Sequence, residues 1–252
     1  MRLAGSKVLV TGGGRGIGWA VARMLVSHGA RPILVGRDEG RLRDAAARLD
    51  GACDLRAADL SERASVEDLV AWCRAAHGDL AGLVNNAAVQ HEMDLVRGDA
   101  GDCIALAREE IALNLDAPIA LAIGLLPLLR RRKAAFVLNV TTGLAFAPKE
   151  AAPVYCAAKA GLHGFTQGLR YQYARHAPGL RVIEAILPLV DTDMTRGRGA
   201  GKIEAAAARA IVGGIAADRA EIWIGKAKAL RILRRIAPGL PERILRGGGV
   251  SA

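Results

Sequence analysis

The chain has 252 residues, 52% of them hydrophobic, 24% charged and 4% aromatic. A polypeptide of this length buries roughly 70% or more of its unfolded surface around one core, and its apolar share and 30 aperiodic glycines exclude disordered and collagen-like classes. The formal charge of +10 is concentrated near the C-terminus, where Lys226, Lys228, Arg231, Arg234, Arg235, Arg243 and Arg246 stand against one acid, Glu242.

In chain order, short β-branched or apolar runs at Lys7–Val10, Pro32–Val35, Gly82–Asn85, Ala135–Val140, Arg181–Leu187 and Glu221–Ile224 read as strands. A weaker run, Ala52–Ala57, reads as a further short strand. Ala/Leu/Arg-rich stretches long enough for helices separate them. This alternation predicts an α/β fold: a single-domain doubly wound parallel sheet with helices on both faces, binding ligands beyond the carboxyl ends of its strands. No repeat or low-complexity linker divides it, so residues 1–225 are expected to form the domain with its substrate loops. Residues 226–252 are expected to form a basic amphipathic extension of it.

The N-terminus runs into a strand pattern without room for a signal peptide. The apolar stretch Ala117–Leu129 contains Pro118 and Pro127 and is shorter than the roughly 20 residues a membrane span needs. A buried helix, no transmembrane segment and a cytoplasmic protein are expected. Cys53, Cys73, Cys103 and Cys156 form no Cys-x-x-Cys pair and the five histidines show no ligand spacing, which predicts free thiols and no metal site.

Two segments carry the chemistry. Directly after the first strand comes Thr11-Gly12-Gly13-Gly14-Arg15-Gly16-Ile17-Gly18, followed by an apolar helix. Glycines there let the backbone turn sharply and approach a pyrophosphate at the helix N-terminus. Farther on, Tyr155 and Lys159 stand four apart at the start of a small-residue helix, so phenol and ammonium share one face. Bringing a phenol from about 10 to about 7 needs roughly 4 kcal/mol of preferential phenolate stabilisation. The cationic Lys159 is expected to supply part of it.

Together these segments resemble the short-chain dehydrogenase/reductase family over roughly residues 5–225. The family's Thr-Gly-x-x-x-Gly-x-Gly motif is met by Thr11, Gly12, Gly16 and Gly18, with Arg15 and Ile17 between. The resemblance makes Asp59, beside Leu60, the adenine contact, and places Asn86 and Ala87 in the Asn-Asn-Ala-Gly motif, with Ala88 replacing the last glycine. Thr142 takes the place of the family's serine hydroxyl. Asn114 matches the asparagine that helps hold a relay water beside the lysine. Val190 by its backbone and Thr192 by its hydroxyl are implied to hold the nicotinamide carboxamide. Segments 85–90 and 141–155 resemble the bacterial DltE-like branch of the family.

The resemblance also bears on cofactor choice. The acid that would bind the ribose 2'-hydroxyl of NAD is replaced by Gly36, with Arg37 next, and Arg15 is a second cation for a 2'-phosphate. NADP(H) is therefore expected over NAD(H), with Asp38 read as a helix N-cap. The implied catalytic set is Asn114, Thr142, Tyr155 and Lys159, acting on a small-molecule carbonyl or alcohol, with a homo-oligomer expected.

The segments Val89–Leu95, Gly143–Val154 and Leu189–Arg198 are expected to shape a largely apolar pocket, with His91 and Glu92 adding polarity. A substrate on an acidic carrier protein is the runner-up, suggested by the basic tail and by Arg196, Arg198 and Lys202. A catalytically silent cofactor sensor or nucleic-acid binder is the reading from another class. Intact Tyr155 and Lys159 oppose it, and basic residues without interleaved aromatics make a poor single-strand platform. The tail itself reads as a solvated helix packed by its apolar side, or as a weak contact for a membrane surface or acidic partner.

Overall fold

The computed structural model describes residues 1–188, 200–237, 239 and 240, and not the side chains of residues 200–202, 234 and 235. The elements in chain order are β1 (Lys7–Thr11), α1 (Gly16–Ser27), β2 (Arg31–Gly36), α2 (Glu39–Ala47), β3 (Asp54–Ala57), α3 (Arg63–Ala76), β4 (Leu80–Asn85) and α4 (Ala100–Ile111). Then follow α5 (Ala117–Leu129), β5 (Ala135–Thr142), α6 (Pro153–His176), β6 (Leu180–Leu187), α7 (Ala200–Ala216), β7 (Glu221–Trp223) and α8 (Ala227–Ile236). Each expected strand is present, the weak one as β3.

The seven strands are all parallel and run β3-β2-β1-β4-β5-β6-β7. Strand order reverses between β1 and β4, which opens a crevice at their carboxyl ends. Because side chains alternate along a strand, Leu9, Ile33, Leu83 and Val137 face one layer, with Leu69 of α3, Leu121 and Leu125 of α5 and Leu169 of α6. Val8, Val10, Val84, Phe136 and Leu138 face the other, against Val21 and Leu25 of α1 and Ile211 and Val212 of α7. Leu34 packs on α2 through Leu42 and Ala45.

The apolar stretch at 117–129 is longer in three dimensions than in sequence. A π turn over Ala112–Asp116 joins α4 to α5, giving a helical run, Ala100–Leu129, long and apolar enough by length and composition to cross a membrane. Its α5 half lies in the core, with Leu121, Leu125 and Leu129 fully buried. Arg74 of α3 donates to the Gly124 carbonyl beside Pro127, at 2.7 and 3.0 Å.

A buried polar layer ties α6 to the sheet. Asn85 Nδ2 donates to Asn139 Oδ1 at 2.8 Å, and Asn139 Nδ2 donates to Thr166 Oγ1 at 2.8 Å. Beyond β7, α8 turns back over the sheet edge. Leu230 leans on Gly143, and the Arg231 guanidinium lies over Trp223, 5.6 Å from the ring centre. At about 100° per residue Ile232 and Ile236 fall on the far side from Ala227 and Leu230, and they are 60% and 77% exposed. The expectation that the apolar side packs down is therefore met only in part: the helix rests on one edge of its apolar stripe.

Candidate active site

The glycine loop leaves β1 at Thr11, whose hydroxyl holds it to β4. Thr11 Oγ1 donates to the Val84 carbonyl at 3.3 Å and accepts from the backbone N–H groups of Asn86 and Ala87 at 2.9 and 3.0 Å. Asn86 Nδ2 donates back to the Thr11 carbonyl at 3.0 Å. Gly12 has φ +67°, and a Cβ there would sit 2.9 Å from Asn86 Nδ2 and 3.1 Å from Ala87 Cα. At Gly18 it would lie 2.2 Å from the Gly12 carbonyl oxygen. Only glycine fits either place, and Gly16, at φ +60°, shares the left-handed backbone.

Arg15 caps α1 with no side-chain hydrogen bond, and no acid occupies the first turn. The orphan N–H groups of that turn can take an anion, which fits a dinucleotide pyrophosphate, and the Glu204 carboxylate of α7 lies beside Gly16. Ala88 has no positive φ, which explains why the family's last glycine is dispensable here.

At the end of β2, Gly36 carries no side chain and Arg37 is exposed, its Nη1 4.0 Å from Glu109 Oε1. Arg15 is exposed as well. Asp38 is an N-cap as expected: its Oδ1 accepts from Arg41 N at 3.0 Å and its carboxylate pairs with the Arg41 guanidinium at 2.9 Å. The Asp59 carboxylate accepts from Ser61 N and Oγ at 3.0 and 2.6 Å, bonds that hold it below the usual carboxylate range. The Leu60 side chain belongs to the core, so only its backbone is left to meet a ligand. Ile17 packs against the α1–α7 layer. Val190, Thr192 and the segment Leu189–Arg198 lie outside the described residues.

The chemical groups converge from β5 and α6. Pro153 in the first turn starts α6, so Tyr155, Lys159 and His163 follow at one-turn spacing down one face. Thr142 ends β5, nearly buried, and caps the short 3-10 turn Gly143–Ala145, its Oγ1 accepting from Leu144 N at 3.4 Å. That turn packs against α6. Lys159 is buried and donates to the Val140 carbonyl at 3.1 Å, with its Nζ 5.7 Å from the Tyr155 ring centre.

Burial lowers the Lys159 pKa to about 8. The same burial pushes the Tyr155 phenol above its usual range, and the charges of Cys156 and Glu110 push it the same way. Within the chain itself the desolvation of the phenol dominates.

Asn114 lies in the π turn, fully buried. Its Oδ1 accepts from Val89 N at 3.0 Å and its Nδ2 donates to Val89 O at 2.7 Å. The amide thus clamps the loop after β4, which occupies its acceptor and one of its two donor hydrogens. One turn earlier, the buried Glu110 accepts from His91 N at 2.6 Å, and the Tyr155 backbone N–H also stabilises its charge, although burial raises its pKa overall. Sequence reasoning missed Glu110, whose only signal was its position four residues before Asn114 on one helix face. It also missed Glu184 and His163, described below.

His91, expected to add polarity to the pocket, is engaged with Glu109, and Glu92, expected to do the same, bonds Lys149 at the rim of the hollow described next. His91 Nε2 is 3.0 Å from Glu109 Oε2, and Glu92 accepts from Lys149 Nζ at 2.7 Å. A mostly apolar hollow of about 650 Å³ is lined by Leu144, Phe146 and Pro148 and by Pro153, Cys156 and Ala160 of α6. It borders the Tyr155–Thr142 face without containing either residue.

The fold and the groups gathered at its switch point define a dinucleotide-dependent oxidoreductase that works between CH–OH and C=O. The family described as short chain dehydrogenase matches residues 6–202. Over 196 residues the chain is 37% identical to the uncharacterized oxidoreductase DltE of Bacillus subtilis (strain 168), covering 78% of this chain and 76% of that one. It superposes on a metagenomic short-chain oxidoreductase in complex with NADP at TM-score 0.73, with 29% identity, covering 88% of this chain and 97% of that one. A 3-oxoacyl (acyl-carrier-protein) reductase from Agrobacterium tumefaciens C58 with NADP bound matches at TM-score 0.68 and 29% identity, covering 76% and 72%. The chain belongs to the short-chain dehydrogenase/reductase family.

Proposed function

We propose that the chain is an NADP(H)-dependent reductase of a small ketone or aldehyde, or catalyses the reverse dehydrogenation of the alcohol. The observation that carries this reading is that Tyr155 and Lys159 lie on the first turns of α6, with Lys159 bonded to the β5 backbone two residues before Thr142, at the same carboxyl edge of the sheet as the glycine loop. When bound, the nicotinamide supplies or removes the hydride at carbon. Thr142 Oγ holds the carbonyl oxygen and Tyr155 delivers the proton to it. Lys159 holds the cofactor ribose and its charge favours the phenolate that remains. Asn114 keeps the loop after β4 in place, and its second amide hydrogen would help hold a relay water.

Gly12, Gly16, Gly18, Asn86, Ala87 and the backbone beside Asp59 and Leu60 would line the dinucleotide, with Val190 and Thr192 at its nicotinamide end. Preference for NADP(H) rests on Arg15 and Arg37 and on the missing acid at Gly36. NADP in the two solved relatives supports it. Arg37→Glu is expected to weaken NADPH roughly 10-fold or more relative to NADH, as read by the ratio of kcat/KM for the two cofactors.

Two partner readings accompany this. The exposed small residues Ala157, Ala160, Gly164 and Gly168 of α6, with Ile104 and Ile111 of α4, support a homo-oligomer built on that face. The exposed apolar stripe and cations of α8 support a weak contact with a membrane surface or an acidic partner. The second functional reading is a 3-oxoacyl reductase acting on a carrier-tethered chain, supported by the basic tail and by the Agrobacterium relative. Activity on the tethered substrate that falls steeply with salt, while a free analogue is unaffected, would select it.

The test of the main reading is Tyr155→Phe in an NADPH-oxidation screen against ketones and aldehydes. Turnover is expected to fall by about three orders of magnitude or more, with NADPH affinity retained. Undiminished turnover would remove the assignment.

A further inference from the structure

Behind the reacting face lies a buried carboxylate for which the reaction has no direct use. Glu184, on β6, is 0% exposed. Its Oε1 accepts from Thr141 Oγ1 at 2.6 Å, and its two oxygens lie 3.0 and 2.9 Å from His163 Nδ1. A carboxylate only accepts, so Nδ1 carries the hydrogen. Thr141 immediately precedes Thr142 on β5, and His163 lies one turn beyond Lys159 on α6. The imidazole also meets Phe146 edge-on, with centroids 4.6 Å apart, and Phe146 meets Trp223 of β7 at 5.1 Å. Phe146 closes the turn that Thr142 caps.

We propose that Glu184 and His163 are positioning residues: the Thr141–Glu184–His163 bridge sets the spacing between the Thr142 hydroxyl on β5 and the Tyr155 hydroxyl on α6. This rests on the catalytic reading above. An apolar contact would hold α6 against the sheet without fixing direction, whereas bonds to a carboxylate constrain distance and angle together. Leaving that carboxylate buried without partners is strongly unfavourable, so the helix keeps the one placement that satisfies it. The next tie along α6, Thr166 with Asn139, lies farther from Tyr155. Lys159, nearer still, is tied only to the backbone carbonyl of Val140, so the bridge is the nearer of the two ties in which side chains of α6 and the sheet bond each other. Phe146 carries the same constraint into the loop on the substrate side. A misplacement of about 1 Å at reacting groups costs on the order of 100-fold in rate.

The experiment compares His163→Leu, which removes the donor, with His163→Asn, whose amide places an N–H near the Nδ1 position. Both use the full chain and the best substrate from the screen. His163→Leu is expected to lose roughly 10- to 100-fold in kcat, with KM and the NADPH dissociation constant changed by less than about threefold. His163→Asn is expected to recover kcat to within about fivefold of the parent, all rates normalised to the folded fraction by circular dichroism. Equal rates for the Asn and Leu variants, or a kcat per folded molecule within about threefold of the parent for His163→Leu, would reduce the bridge to a stabilising contact. If His163→Leu does not fold, Thr141→Val, close in shape, is expected to lower kcat roughly 10-fold at constant KM, and an unchanged kcat overturns the proposal. Full turnover by Tyr155→Phe would instead sink the catalytic reading on which the bridge depends.

Discussion

The glycine loop and the first turns of α6 both present polar groups at the carboxyl edge of the same sheet, yet they are held by opposite means. The loop is backbone against backbone: a single carbon at Gly18 would meet the Gly12 carbonyl at 2.2 Å. The α6 face is placed by side chains, through Asn139–Thr166, Lys159–Val140 and Glu184–His163. A site made by steric exclusion tolerates no added atom, whereas one made by directional bonds loses alignment bond by bond. The loop should therefore fail all at once and α6 by degrees.

The sharpest way to break that contrast is Gly18→Ala. Neither the Gly12 backbone nor the Asn86 amide it would strike is free to leave, so overpacking of about 3 kcal/mol is expected, or a fall of roughly 6–12 °C in Tm for a chain of this size. NADPH affinity should fall about 100-fold or more with it, since the loop must widen where the pyrophosphate lies. A near-normal NADPH titration would show that the loop yields more easily than its contacts imply.

On the α6 side, Lys159→Met separates placement from stability. The folded pKa of Lys159 is about 8 against 10.5 for the free group. As pH falls the unfolded chain takes up that proton first, so the penalty on the folded state is complete below about pH 8, fades as pH rises from there and is gone above 10.5. The variant is expected to melt a few degrees higher at pH 7, with the gain shrinking toward pH 10.5, while turnover is lost. A lower Tm at pH 7 would mean that the bond to the Val140 carbonyl outweighs the burial of the ammonium.

The smallest effect should come from the sheet's outer edge. Arg31 grips Asp54 with two bonds, at 2.7 and 3.1 Å, and holds its carboxyl below the usual range. This contribution is present above the ordinary carboxylate pKa and is lost as pH falls through the lowered one. Because Arg31 is half exposed, Asp54→Asn should cost under about 1 kcal/mol, seen as a small Tm shift at pH 7 that vanishes in acid, with turnover untouched.

Legibility in the sequence followed the same division. The strand periodicity, the glycine spacing, the Asp38 cap and the one-turn interval from Tyr155 to Lys159 are local and were readable as such. The engagement of His91 and Glu92 with Glu109 and Lys149 was not, because those partners are 18 and 57 residues away. Nor was the electrostatic state of Tyr155, since burial is a property of the packed chain. The tail shows both sides: its amphipathic pattern was plain in the sequence, but which edge of the stripe meets Gly143 was not.

Sequence by itself determined where the backbone can turn and which side chains share a helix face, because those depend on the chirality and pitch of a few adjacent residues. Tertiary structure alone decided that Asn114 grips Val89, that Glu110 reaches His91 and that Glu184 binds both Thr141 and His163. Such pairings depend on strand register and helix placement, which emerge only when two layers of the core close on the sheet.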